Sequence, residues 1–200
     1  MKNIHDDLGK ILLLTGQRLG EVVNMTDSEI RGDLWHLAAD RTKNGRAHDV
    51  PLSAAAQEVL AAVDRLDGDT KYFFTTTGES ALRGYHKGRN HLANRMKEIA
   101  YEEIGEPVDI PHWTFHDLRR TVATNMARIG IAVRVTEAVL NHVSGTGGGI
   151  VAVYQRHDYA DEKSERSTHG RDCWPKLLVD APKILFGWGK QKLDGLGLPL

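Results

Sequence analysis

The sequence has almost no cysteine: one residue, Cys173, in a chain of 200. A disulfide framework within the chain is therefore impossible, a Cys-rich zinc site is excluded, and a reducing, cytoplasmic setting is the natural expectation. Long apolar runs are missing too. None approaches the roughly 18 residues a membrane-spanning helix needs. The opening MKNIHDD turns acidic where a signal peptide would turn apolar. Net charge is close to absent, at −1, so no overall basic excess points to a nucleic-acid partner. Internal repeats are lacking as well. What remains has ordinary globular proportions, 40% hydrophobic and 26% charged. A chain of this length can hold one well-cored domain, or one domain plus a tail.

Where the totals are silent, the arrangement speaks. Lys and Arg concentrate in 83–97 (Arg83, Lys87, Arg89, Arg95, Lys97) and return at Arg119, Arg120, Arg128 and Arg134. A basic face on a neutral protein fits this pattern, as does scattered solvated charge. The hydrophobic period predicts a mainly α fold with a small antiparallel β-sheet. Leu8, Ile11, Leu12 and Leu14 form a helical stripe ending at Thr15-Gly16, and a short helix follows over Leu19 to Val23. Ile30, Leu34 to Leu37 and Val50 to Leu52 read as short strands, with Asn44-Gly45 as the hairpin turn between the last two. Ser53 caps a helix carrying Val59, Leu60, Val63 and Leu66 to a stop at Asp67-Gly68. A helix from about Arg89 to Ile104 stops at Gly105. The next begins at a capping box of Thr114 and Asp117, runs its stripe through Phe115, Leu118, Val122, Met126 and Ile129, and stops at Gly130. A last helix over about 133–142 packs Val135 and Val139. A glycine-rich loop (Gly145, Gly147, Gly148, Gly149) leads to the apolar run Ile150 to Val153 and Tyr154. Residues 164–200 show no sustained period and read as a poorly specified, partly disordered tail.

Four short patterns carry polar side chains suited to chemistry. Arg18 stands at a helix start with Glu21 one turn on, a spacing usual for a structural ion pair. Lys43 sits beside the Asn44-Gly45 turn, where a solvated lysine is ordinary. His116 and Arg119 are three apart and share one helix face, flanking the core stripe. Leu140-Asn141-His142 precedes Tyr154 across the glycine loop, and a tyrosine after an apolar run is most often core. His112 and His116 are four apart, but no third ligand is evident and a zinc site is not expected. The glycine loop is no phosphate-cradling P-loop, since no Gly-Lys-Ser/Thr follows. Each pattern is weak alone. Their order, Arg, Lys, His-x-x-Arg, His and Tyr, is not.

In that combination the sequence resembles the tyrosine recombinase family, which includes phage and genomic-island integrases. The matching stretches are LLLTGQRLGEV, TKNGRAHDVPLS, TFHDLRRTVATNMARIGI, VLNHVSG and VAVYQRHDYADEK, spanning about residues 8–163. The resemblance implies a recombinase catalytic domain over 1–163, N-terminally truncated and without the helical DNA-binding domain that usually precedes it, followed by the atypical tail 164–200. It implies site-specific recombination of double-stranded DNA through a 3′-phosphotyrosyl intermediate, and a homo-oligomer, a tetramer on DNA, in the full-length family context. Residue by residue, Arg18 matches the first active-site arginine and Lys43 the lysine of the sheet hairpin. His116 and Arg119 match the His-x-x-Arg helix, His142 the second histidine and Tyr154 the nucleophile, with Tyr159 the rival. Glu21 matches an acidic support for the first arginine. Asn141 departs from the family, which commonly has glycine there.

The chemistry accounts for these side-chain types. A tyrosine oxygen can hold the broken strand as a phosphodiester. Its pKa of about 10 asks for neighbouring cations. Two guanidiniums offer forked hydrogen bonds to the non-bridging oxygens, with an imidazole adding a third contact. Lys43 is placed to protonate the leaving 5′-oxygen, and His116 to take the tyrosine proton or to hold the phosphate. With arginines in the role that metal ions play in many nucleases, neither metal nor cofactor is expected. The competing expectation is a non-catalytic remnant or accessory DNA-binding protein that keeps the site but cannot assemble.

Overall fold

The computed structural model describes residues 3–66 and 70–142. Tyr154, Tyr159, the glycine loop, Cys173 and the tail expected over 164–200 lie outside the described residues.

The fold is built around its first helix. In α1 (Ile4–Thr15), Leu8, Ile11, Leu12, Leu13 and Leu14 are all buried, so the helix is apolar nearly all round past its first turn. Such a helix must be enclosed, and α1 packs against four others. Asn3 caps its start by accepting from the His5 amide, and Gly16 ends it in the left-handed conformation at φ 67°, its N–H on the Leu12 carbonyl at 2.9 Å. A Cβ on Gly16 would meet Leu140 at 2.8 Å and Val122 at 3.0 Å, so the turn is pressed against two later helices.

The short α2 (Leu19–Val23) follows. A three-stranded antiparallel sheet comes next, in the order β1 (Ile30–Arg31), β2 (Leu34–Leu37), β3 (His48–Pro51). Trp35 pairs with Val50 and Leu37 with His48, and all four side chains are buried on one face. His36 and Asp49 alternate onto the other face. The β2–β3 connection is more than the expected Asn44-Gly45 turn. It runs over residues 38–47 and contains a 3-10 turn, Ala39–Arg41, before the bends around Asn44. Arg41 explains the detour. Its guanidinium binds the Glu29 carboxylate at 2.6 Å and the Asn24 carbonyl at 2.8 Å, drawing the connection back over the end of α2.

Helix α3 (Ala54–Ala61) starts at Ser53, whose hydroxyl accepts from the Ala56 amide. It stops earlier than expected, so Val63 is buried outside the helix and Leu66 is left exposed. Of the run Tyr72 to Phe74, only Tyr72 makes an isolated bridge, to Thr26; Phe73 and Phe74 form a bend, and Phe74 is fully buried. Helix α4 (Tyr85–Ile104) begins four residues before the expected start and closes at Gly105 in the left-handed conformation. Helix α5 (Phe115–Arg128) has the expected capping box: Asp117 accepts from the Thr114 amide and hydroxyl, both at 2.8 Å. Phe115, Leu118, Val122 and Met126 are buried as the stripe predicts, but Ile129 falls on the C-cap and is exposed. Helix α6 (Val133–Val139) buries Val135 and ends before Asn141. No helix among the described residues is long and apolar enough to cross a membrane.

Candidate active site

The site is organised by the C-terminal end of α6. A helix leaves its last carbonyls without intrahelical partners, and here three consecutive ones receive side-chain donors from distant parts of the chain. Gln17 donates its amide to the Val139 carbonyl at 2.8 Å, and His48 Nε2 lies 3.1 Å from the same oxygen. Arg119 donates Nη2 to the Leu140 carbonyl and Nη1 to the Gly16 carbonyl, the latter at 2.8 Å. Arg18 donates Nη2 to the Asn141 carbonyl at 3.3 Å, and Asn44 donates to that oxygen at 3.1 Å. The helix-end dipole adds to the attraction, since its carbonyl end favours cations.

Two guanidiniums thus form the floor. Arg119 is buried, 6% exposed, although its spacing sets it beside the core stripe and not within it. Burial first, and the nearby Arg18 charge second, bring its pKa down to about 10, with Glu21 opposing. At neutral pH it remains a cation. Arg18 is half-buried and held by Glu21, whose carboxylate takes Nη1 at 3.0 Å and the Arg18 amide at 2.9 Å. Glu21 itself is 4% exposed, so its burial is compensated by a charged partner. The ion-pair reading and the supporting-acid reading of this residue coincide.

The rim is different. His116 and His142 are exposed, and both line a groove of about 390 Å³ between α5 and α6. Arg119 lies at the same end, while Ala127, Ile131 and Val133 make the groove apolar further along. The i, i+3 relation of His116 and Arg119 therefore gives one residue at the edge and one beneath it. Lys43 is exposed in the β2–β3 connection. Its neighbour Asn44 bonds Asn141 Oδ1 at 2.7 Å in addition to the carbonyl. Tyr154 is outside the described residues; of the other five expected site residues, Arg18 and Arg119 bond the end of α6, His116 and His142 line the groove beside it, and Lys43 adjoins Asn44, which bonds Asn141. Sequence reasoning missed Gln17, Arg41, Asn44 and His48. The only available signal was their polarity beside the motifs; their partners are far along the chain.

Among the described residues, no group of three or more His, Cys, Asp or Glu side chains is arranged to hold a metal ion. His112 faces Arg89, with Nε2 and Nη1 2.5 Å apart. The arrangement can bind an anion. Each floor guanidinium uses two N–H groups on the protein and keeps others for a ligand.

Residues 5–160 match the family described as phage integrase. The chain belongs to the phage integrase family. Similar proteins extend the picture. The tyrosine recombinase XerA of Pyrococcus furiosus is 27% identical over 143 residues, which are 70% of this chain and 47% of that protein. Among solved structures, the Tn1549 transposon integrase bound to circular-intermediate DNA superposes with a TM-score of 0.50 at 19% identity, over 82% of this chain and 56% of the other. A lambda integrase dimer bound to a core site gives a TM-score of 0.50 at 20% identity, over 78% and 53%. At these identities the structural likeness is one of fold. The fold is that of integrase catalytic domains, mainly helical with one small antiparallel sheet. This integrase-family chain spans about half the length of the relatives it matches.

Proposed function

We propose that this chain cleaves and rejoins double-stranded DNA through a 3′-phosphotyrosyl intermediate, as a site-specific recombinase. The observation that carries the reading is the gathering of Arg18, Arg119, His142 and Asn44, the chain neighbour of Lys43, from four separate segments, around one helix end. In this reading the scissile phosphate sits over the two guanidiniums, which offer their remaining N–H groups to the non-bridging oxygens. His142 donates from the rim. Tyr154 Oη forms a bond to phosphorus as the bond from phosphorus to the 5′-oxygen breaks. The tyrosine proton passes to His116, and the Lys43 ammonium protonates the departing 5′-oxygen. Religation is the reverse, and the stored phosphodiester makes an external energy source unnecessary. Donors fixed before the substrate arrives are most effective against charge that develops in the transition state. DNA is bound across the rim, and recombination takes place in the cytoplasm on an assembly of several copies.

The test is a nicked or suicide DNA duplex incubated with the full chain, with covalent adduct read on a denaturing gel. A weak Tyr154-dependent adduct is expected, absent in Tyr154→Phe, with little complete recombination by the chain alone. Absence of adduct at every protein concentration would overturn the catalytic reading and leave a DNA-binding protein without chemistry.

A further inference from the structure

Asn141 is the only residue other than glycine among the described ones with a positive φ, at 47°. Asparagine tolerates the left-handed region better than most side chains, but it does not require it. What the conformation achieves here is contact. It turns the Asn141 side chain onto Asn44, 97 residues away, where the two amides face each other. Asn44 Nδ2 donates to Asn141 Oδ1 at 2.7 Å, and Asn141 Nδ2 donates to Asn44 Oδ1 at 3.3 Å. Asn44 Nδ2 also reaches the Asn141 main-chain carbonyl, the same oxygen that holds Arg18. On the other side, Asn44 Oδ1 accepts from the Arg46 amide at 3.2 Å. The Thr42 hydroxyl closes the bend: it accepts from the same amide at 3.1 Å and gives its one proton to the Arg46 carbonyl at 2.8 Å, with Asn44 Oδ1 and the Ala39 carbonyl as alternative acceptors. Lys43 lies between Thr42 and Asn44, so the residues on both of its sides belong to one bonded unit.

We propose that Asn44 and Asn141 are positioning residues, which dock the Lys43 bend on the end of α6 and hold the lysine at a set distance from Arg18. Neither touches the reacting atoms; both act through Lys43. The inference rests on the strand-cleavage reading above, and it goes beyond that reading in assigning the paired amides. An exposed lysine on a ten-residue connection has many positions open to it. A bend bonded to the carbonyl that also holds Arg18 has few, and proximity of a proton donor to its leaving group is worth large factors in rate.

Two variants remove the pair without removing the lysine. Asn44→Ala deletes one amide. Asn141→Gly deletes the other and keeps the left-handed turn at no steric cost. Each is expected to slow single-turnover adduct formation on the suicide duplex by about fivefold to tenfold, the effect of one or two amide hydrogen bonds, without a matching change in DNA affinity. The double variant should be no slower than the worse single one. In a Lys43→Ala background neither substitution should slow the reaction further. The defect should vanish on a duplex whose scissile 5′-oxygen is replaced by sulfur, because a thiolate leaves without a proton. A defect that persists on the sulfur substrate, or that adds to Lys43→Ala, would overturn the proposal and reduce the pair to a structural contact. A second measurement needs no catalysis. Hydrogen–deuterium exchange at amides 43–46 of the DNA-free chain should quicken by about fivefold to tenfold in Asn141→Gly. Unchanged exchange would refute the docking itself. Wild-type chain that forms no adduct while Asn141→Gly quickens exchange would sink the catalytic reading and leave the docking standing.

Discussion

The floor and the rim of the site are held by different physics. Arg18 and Arg119 are tied to carbonyls and to one carboxylate, partly or wholly out of water. His116 and His142 stand in solvent at the groove edge, and Lys43 stands on a connection. In the proposed function, floor residues serve fold and site together, whereas rim residues serve the site alone. Substitutions in the two regions should separate stability from chemistry.

The largest effect is expected at Arg119. Arg119→Ala strands the Gly16 and Leu140 carbonyls and should lower unfolding free energy by about 3 kcal/mol, read by urea denaturation. Adduct formation should fall at least about 100-fold with it. A variant of wild-type stability would break the distinction between floor and rim at its strongest point. Gly16→Ala comes next, at about 2 kcal/mol, because it combines a left-handed backbone with close contacts to Leu140 and Val122. Its thermal midpoint should drop by several degrees. Glu21→Gln is expected to cost about 1.5 kcal/mol by weakening the charge-assisted bonds to Arg18; urea denaturation would show it.

Asp117 sharpens the comparison, since it caps the helix that carries one residue of each kind. The hydrogen bond from the Thr114 amide, then the one from its hydroxyl, holds the carboxyl pKa below the ordinary 3.8. A depressed carboxyl stabilises the fold above its unfolded pKa and loses that contribution as pH falls through the folded value. Asp117→Ala should therefore cost about 1 kcal/mol at pH 7, and the difference from wild type should close below about pH 4. A gap that stayed constant to pH 2 would assign the cost to packing. The smallest stability effect is predicted for His116→Ala, within about 0.5 kcal/mol of wild type, although adduct formation falls by 10-fold or more, on the order of general-base loss.

Features read correctly from the sequence are those set by local spacing. The capping box of α5, its buried stripe through Met126, the Gly16 and Gly105 stops and the Ser53 cap each depend on residues within a turn or two. Errors cluster where a pattern runs past a helix end. Leu66 and Ile129 keep the apolar rhythm after the helix has stopped and are exposed. The burial of Arg119 was hidden for another reason. Its partners are Gly16 and Leu140, 103 and 21 residues away, and only the assembled fold brings those carbonyls under a guanidinium. Asn44 was legible as a turn residue but not as half of a pair, because nothing near it in the chain suggests Asn141.

Holding cations with neutral carbonyls has a consequence for work at high ionic strength. Contacts to peptide dipoles at bonding distance, and beneath the surface, feel little of the ionic atmosphere. Capture of a polyanion by displaced counterions weakens steeply as salt is added. For the DNA binding proposed above, raising potassium chloride should strip nucleic acid from the protein long before it loosens the cradle of α6, and dilution should restore the proposed grip with the cradle already formed.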